Sequence, residues 1–122
     1  MTPEAFHDAA LALPGATFDI KWGAEHVYSV GGKMFAAAGL FAAAGSEQQL
    51  HYNFKASDLA FEMLVEQGVA RPAPYLARSK WVQLLSVDAL DDEDLKRYLA
   101  EAHRIVARGL TKKARAALGL EP

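Results

Sequence analysis

The apolar residues of this chain recur at two spacings, one helical and one alternating, and the spacing changes along the sequence. The first segment has the helical spacing. Thr2 is a suitable N-cap, Pro3 fits the first helical position, and Pro14-Gly15 ends the segment. Its apolar residues are Phe6, Ala9, Ala10 and Leu13. The pattern therefore predicts a helix between Thr2 and Pro14.

Alternation of apolar and polar residues predicts five strands. They are Thr17–Trp22, Glu25–Val30, Lys33–Leu40, Leu50–Lys55 and Lys80–Val87. Gly31-Gly32 is a two-residue hairpin signal that joins the second strand to the third. The third strand is rich in alanine, which is a weak strand former, but small side chains suit a central strand that packs against a helix.

Three further helices are predicted from capping residues and helical spacing. Their N-caps are Ser57, Asp91 or Asp88, and Thr111. They end at Gly68, Gly109 and Leu118. The longest covers Asp92–Arg108 and is amphipathic. Its apolar stripe is Leu95, Leu99, Ala102 and Val106, and its opposite face carries Arg97, Glu101, Arg104 and Arg108.

The order of these elements predicts a single α+β domain that covers residues 1–122. Consecutive strands with helices outside that run favour an antiparallel sheet with helices packed mainly on one face, in two layers. The stretch Val69–Arg78 contains Pro72 and Pro74, so it cannot be a regular helix, and an ordered loop is predicted there.

Composition and charge narrow the classes of protein. The chain has no cysteine, which excludes disulfides and thiolate metal sites, and its N-terminus lacks the pattern of a signal peptide. The longest apolar run, Met34–Gly45, is too short to span a bilayer. We therefore expect a cytoplasmic protein that makes no membrane contact. The net charge of −2 argues against nucleic-acid binding through bulk charge.

Five short segments resemble the MmcQ/YjbR family in their order and spacing. They are Leu13-Pro14-Gly15, Lys21-Trp22-Gly23, Gly31-Gly32-Lys33-Met34-Phe35, Arg71-Pro72-Ala73-Pro74-Tyr75 and Lys80-Trp81-Val82. The resemblance covers about Thr2 to about Leu110, and it implies a compact α+β fold of the CyaY-like type. A DNA-binding role has been suggested for this mostly uncharacterised family. The chain departs from the family at Ala102-His103, where members commonly have Ser-Tyr.

The first candidate site is a set of aromatic and basic residues: Lys21, Trp22, Lys33, Arg71, Tyr75, Arg78, Lys80 and Trp81. Such a set suits phosphate neutralisation with base stacking, and it suits a small phosphate or carboxylate ligand equally well. The structural alternative is that Trp22 and Trp81 belong to the core and that Pro72 and Pro74 stiffen a loop.

The second candidate site is a basic face near the C-terminus. Its residues are Arg97, Arg104, Arg108, Lys112, Lys113 and Arg115. It would suit nucleic-acid phosphates. The structural alternative is a solvated helix face with Arg97–Glu101 and Glu101–Arg104 pairs.

Catalytic and metal chemistry find little support in the sequence. The four histidines lie on different predicted elements without a metal-binding spacing, and nothing in the spacing predicts that folding gathers two of them with Asp19 or Glu25. No serine has a histidine partner that the sequence places beside it, and Gly31-Gly32 lacks the context of a nucleotide-binding loop. We expect no catalytic residues, no metal, no cofactor and no enzyme activity.

The leading hypothesis for function is DNA binding through a local aromatic and basic surface. One alternative is a module for a small molecule or anion that uses the proline-rich loop and the two tryptophans. Another is a protein-interaction domain. The sequence leaves the oligomeric state and the strand order open.

Overall fold

The structure is a computed structural model and describes residues 1–21, 25–41, 49–74 and 76–120. In this part of the chain the helices are α1 (Pro3–Leu11), α2 (Asp58–Glu66), α3 (Asp92–Arg108) and α4 (Lys112–Ala117). The strands are β1 (Ala16–Lys21), β2 (Glu25–Val30), β3 (Lys33–Phe41), β4 (Gln49–Lys55), β5 (Ala70–Pro72) and β6 (Trp81–Leu84). A 3₁₀ turn covers Ala77–Ser79.

The six strands form one antiparallel sheet in the order β1-β2-β3-β4-β6-β5. The prediction of an α+β fold with an antiparallel sheet is therefore confirmed. The hairpin at Gly31-Gly32 joins β2 to β3 as expected, and both glycines have positive φ angles of 59° and 81°. A register shift between Tyr28 and Ser29 marks a bulge in β2–β3 pairing.

The prediction that Val69–Arg78 is a loop throughout was wrong, because Ala70–Pro72 forms β5 and pairs with β6. Proline gives no amide hydrogen to a sheet, which argued against a strand here. However, β5 is the last strand of the sheet, and an edge strand tolerates proline. The final strand is also shorter than predicted, Trp81–Leu84 instead of Lys80–Val87.

The main core lies between the sheet and the helices. Helix α3 packs across β2, β3 and β4, while α1 contacts β1 and α2 contacts β5 and β6. The buried residues of this core come from α1, α2 and α3 and from one side of the sheet, including Ala36, Ala38, Tyr52, Phe54, Val82, Leu84, Leu95 and Leu99. The small alanine side chains of β3 let a helix lie against this central strand, as the sequence analysis expected.

Side chains cap every described α-helix at its N-terminus. The predicted residues accept backbone hydrogen bonds, with Thr2 and Ser57 at 3.1 Å, Asp91 at 2.8 Å and Thr111 at 3.0 Å. Each cap contributes about 1 kcal/mol, because it satisfies an amide that has no partner within the helix. The capping predictions are confirmed, and Asp91 rather than Asp88 caps α3.

Three aromatic rings form the centre of the core beneath α1. Phe6 stacks on Tyr52, with ring centroids 4.2 Å apart, and meets Tyr28 edge-on at 5.7 Å. The Tyr28 hydroxyl is 2.8 Å from His7 Nδ1, and the Tyr52 hydroxyl donates to the Met1 carbonyl at 2.8 Å. Both phenols are thus buried with a hydrogen-bond partner. Burial is the main cause that raises the pKa of Tyr28 and of Tyr52 to about 12.

Strand β1 forms the other edge of the described sheet. Phe18 and Ile20 on this strand are exposed, which is unusual for large apolar side chains side by side. The Asp19 carboxylate accepts a hydrogen bond of 2.8 Å from the Ile20 amide. None of the described helices is long and apolar enough to cross a membrane.

We predict that Gly31→Ala destabilises the protein by about 2 kcal/mol or more, because a Cβ at this positive-φ residue would lie 2.6 Å from Leu110 Cδ1. The matched control is Gly32→Ala, where φ is +81° but no atom lies within 4 Å, so that only backbone strain of about 1 kcal/mol applies. Urea unfolding measures both. Equal losses would show that Leu110 does not pack against the hairpin.

The two core tyrosines predict alkaline unfolding. Their pKa values rise from 10 in the unfolded chain to about 12 in the folded one, so the stability they contribute is complete below pH 10 and lost between pH 10 and 12. The loss is about 2 to 3 kcal/mol for each tyrosine. Unfolding curves at several pH values should show this fall, and Tyr28→Phe or Tyr52→Phe should make it smaller. If both variants lose as much stability between pH 10 and 12 as the wild type does, the assignment of this loss to the two tyrosines is contradicted.

Candidate functional site

The sheet separates two lysines of the first candidate site. Lys21 pairs with Glu25 at one end of the β1–β2 ladder, whereas Lys33 pairs with Val30 at the other end of β2. The five residue steps from Glu25 to Val30 along β2 correspond to about 17 Å. Lys21 therefore lies away from the other described cations of that set and contributes to a different surface.

The end of the sheet that carries Lys33 collects basic residues from several elements. Lys55 ends β4 opposite Trp81, so the residues just before β6 lie at the same end. The C-terminus of α3 also reaches it, since Leu110 packs against Gly31 of the hairpin. We name this region the basic end, and its cations are Lys33, Lys55, Arg78, Lys80, Arg108, Lys112, Lys113 and Arg115. Asp58, at the start of α2, is an acidic neighbour.

Lys55 and Lys80 are held in place at the basic end. Lys55 Nζ donates to the carbonyl of Ser79, and Lys80 Nζ lies 4.9 Å from the centre of the Phe61 ring. The Lys80 backbone is fixed as well, because its carbonyl accepts a hydrogen bond of 3.0 Å from Ala56. Lys80 has a positive φ of 60°, a strained conformation for a residue other than glycine, and such strain often marks functional segments.

Burial of Lys55 is the main cause that lowers its pKa; Asp58 nearby raises it, and Lys80 lowers it again. A lysine in this position gains free energy from any anion that approaches, because the anion offsets the repulsion between the two ammonium groups. Sequence reasoning missed Lys55. The signal that would have found it is the register of β4 with β6, which the sequence does not reveal.

The aromatic part of the first candidate site does not form a stacking surface where the structure describes it. Trp81 is buried, with 5% of its surface exposed, so the interpretation of this residue as structural is the correct one. Trp22 and Tyr75 lie outside the described residues. The exposed Arg71 lies on the same side of the sheet as Trp81, because it pairs with Gln83 two residues further along β6, and the exposed Arg78 lies in the turn before that strand.

A row of polar side chains crosses the sheet on the face away from the main core. Asn53, Gln83 and Arg71 lie opposite one another on β4, β6 and β5. Arg71 Nε donates to Gln83 Oε1 at 2.7 Å. Asn53 and Gln83 are 5% and 0% exposed, yet Asn53 Oδ1 and Gln83 Nε2 have no hydrogen-bond partner in the part of the chain that the structure describes. Gln83 thus orients an exposed arginine at a cost, since a buried donor without a partner is unfavourable.

The ion pairs predicted for the second candidate site are found only in part. Arg104 pairs with Glu101 at 3.8 Å, as predicted, but Arg97 pairs with Asp94 instead of Glu101. Both acids have a suitable spacing from Arg97, but Asp94 lies on its N-terminal side and in the first turn of α3, where the helix dipole favours an acid. Arg108, Lys112 and Lys113 are exposed at the basic end.

The opposite end of the molecule is acidic. The segment before α3 and its first turn contribute Asp88, Asp91, Asp92, Glu93 and Asp94. On the sheet, the Glu25 side chain lies over Gly39 so closely that a Cβ there would clash, and burial raises the pKa of Glu25. Within the described ranges no group of three or more histidine, aspartate or glutamate side chains is placed to hold a metal ion. His51 Nδ1 lies 3.2 Å from the Leu84 carbonyl.

These features define the class of protein: a two-layer α+β domain with one antiparallel sheet and opposite charge at its two ends. A family model described as YjbR matches residues 11–105, and the chain belongs to the YjbR family. A crystal structure of the Deinococcus radiodurans protein DR2400, which carries the domain DUF419, is similar with a TM-score of 0.80. The two chains are 21% identical over 98% of this chain and 89% of that one, so the likeness concerns the fold alone. No curated protein matches.

We predict that Gln83→Met changes the free energy of unfolding by less than about 1 kcal/mol. It keeps the volume of the side chain, and the relief of the buried Nε2 donor offsets the loss of the hydrogen bond that Oε1 accepts from Arg71. The comparison variant Gln83→Ala should lower the free energy of unfolding by about 2 kcal/mol through the cavity it leaves. Urea unfolding of both distinguishes packing from hydrogen bonding. A loss in Gln83→Met as large as that in Gln83→Ala would mean that Nε2 also has a partner, such as ordered water.

Proposed function

We propose that the protein binds DNA through phosphate contacts at its basic end. The single observation that carries this proposal is the gathering of eight basic residues from the hairpin, β4, the turn before β6, and the α3–α4 region. Phosphate oxygens are matched by lysine and arginine side chains that lie on one surface. The net charge of −2 describes the whole chain and does not describe this surface.

The separation of charge supports an oriented encounter. The acidic end, with Asp91 to Asp94 at the start of α3, would be repelled by the phosphate backbone, whereas the basic end would be attracted. A protein with this polarity approaches a polyanion with one end first, which raises the rate of productive encounters at low salt. The long amphipathic helix α3 connects the two ends.

Recognition in this proposal relies on charge rather than on stacking. Trp81 is buried, so the stacking role considered for it has no support in the described structure. Phosphate contacts position a protein on DNA without reading the sequence, and we therefore propose binding without strong sequence preference. We also propose a cytoplasmic location and no enzyme activity, for which the sequence offers the support given above.

Two alternatives remain proposals of lower rank. A small-anion module built on the proline-rich loop loses one of its two tryptophans to the core. A protein-interaction role is favoured by the exposed Phe18 and Ile20 on the edge strand β1, although two exposed residues make a small surface.

Fluorescence anisotropy with labelled double- and single-stranded DNA across a salt series tests the DNA proposal. If three to five phosphates are contacted, the slope of log K against log salt should be about −3 to −4.5. The double variant Lys33→Glu/Arg78→Glu reverses two exposed cations at the basic end. We expect it to weaken binding at least about tenfold and to reduce the slope by about two.

The matched control is Lys21→Glu/Lys96→Glu, which makes the same change in net charge away from the basic end. It should weaken binding less than about threefold, through long-range repulsion alone. Absence of binding at low salt would overturn the proposal. Equal weakening in both double variants would show that net charge, and not the basic end, governs binding.

A further inference from the structure

A cleft of about 370 Å³ lies between the end of α3, helix α4 and the connection from α1 to β1. Its cationic side chains are Arg104, Arg108 and Arg115, and its apolar lining comes from Pro14, Ala107 and Leu120. The cleft is at the small end of the range of ligand pockets, roughly 300 to 1,000 Å³. The proposed DNA contacts make no use of its interior.

The walls of the cleft are fixed by hydrogen bonds between distant segments. His103 Nε2 donates to the Pro14 carbonyl at 2.6 Å, since a carbonyl can only accept. The His103 ring also meets Phe35 edge-on, with centroids 5.4 Å apart. On the other side the Leu120 amide donates to the Arg115 carbonyl at 2.9 Å. The cavity is therefore preformed, which lowers the entropic cost of binding a ligand.

The arginines of the cleft have only long contacts to other described residues. Arg115 Nη1 donates to the Arg108 carbonyl at 3.4 Å, while Arg115 Nε is enclosed by protein atoms without a hydrogen-bond partner among the residues described. The ion pair between Arg104 and Glu101 is 3.8 Å long, well beyond the roughly 2.8 Å of a strong charge-assisted hydrogen bond. Guanidinium groups held this loosely keep donors for a ligand that brings closer acceptor oxygens.

We propose that this cleft binds a small organic oxyanion, a phosphate monoester or a carboxylate that is attached to an apolar group. The oxyanion would accept hydrogen bonds from the guanidinium groups of Arg104, Arg108 and Arg115. The apolar part would cover Pro14, Ala107 and Leu120. The combination of fork-shaped donors and an apolar lining selects an amphipathic anion over inorganic phosphate.

This inference goes beyond DNA binding and does not depend on it. Arg108 and Arg115 belong both to the basic end and to the cleft, but Lys33 and Arg78 do not line the cleft. The variant Lys33→Glu/Arg78→Glu should therefore leave binding in the cleft within about threefold, the effect of screened charges at a distance. Failure of one proposal thus remains distinguishable from failure of the other.

Titration with phenyl phosphate tests the proposal, and binding is measured by calorimetry and by NMR of the arginine Nε–H signals. Benzoate serves as the carboxylate probe, inorganic phosphate as the probe without an apolar part, and phenol as the probe without charge. We expect one of the two organic anions to bind with a Kd below about 1 mM, to shift the Arg115 Nε–H signal, and to bind at least tenfold tighter than inorganic phosphate or phenol.

Arg115→Gln should weaken binding at least about tenfold through the loss of a charged donor. Arg115→Lys keeps the charge and removes the planar fork of donors, so it should also weaken binding while the thermal midpoint stays near that of the wild type. The matched control Arg97→Gln removes an arginine of α3 that pairs with Asp94 outside the cleft, and it should have no effect. The proposal is overturned if neither organic anion binds at 10 mM, if Arg115→Gln binds as the wild type does, or if Arg97→Gln weakens binding equally.

Discussion

The contact between helix α3 and the alanine-rich strand β3 is the constraint on which the rest of the structure depends. Ala36 and Ala38 are buried beneath the helix, and Leu95 and Leu99 of α3 are buried in the same core. Small side chains on a central strand let a helix lie close to the sheet, and the leucines fill the remaining space at the density of a protein interior. The helix crosses β2, β3 and β4, so this contact fixes its direction relative to every strand.

The direction of α3 also determines where charge accumulates. Acidic residues at its start and basic residues near its end both stabilise the helix through its dipole. Because α3 is 17 residues long, these acidic and basic residues lie far apart and give the molecule one acidic and one basic end. Lys33, Lys55 and Lys80 join the basic end only because the antiparallel register brings their strand ends together. Helix stability and surface polarity thus have one origin in the sequence.

Local signals in the sequence were sufficient for most of the fold but not for the site. Caps such as Ser57 and Asp91 act within one turn of a helix, so reading them requires no tertiary information. The strand β5 was not predicted, because Pro72 is acceptable only in an edge strand and the sequence does not reveal which strands lie at the edges of the sheet. For the same reason the sequence grouped Lys21 with Lys33 and missed Lys55. Its proximity to Lys80 depends on a pairing between residues 26 positions apart.

The hydrogen bond from the Ile20 amide to the Asp19 carboxylate has a consequence for the behaviour of many copies of this chain together. An open sheet edge offers unpaired amides and carbonyls to any other extended segment, and repeated addition of such segments builds fibrils. At β1 the edge is also apolar, because Phe18 and Ile20 are exposed. The Asp19 carboxylate occupies one amide of this edge strand, and Lys21 follows Ile20 immediately. The charged residues of β1 therefore oppose aggregation at the exposed, apolar edge of the sheet.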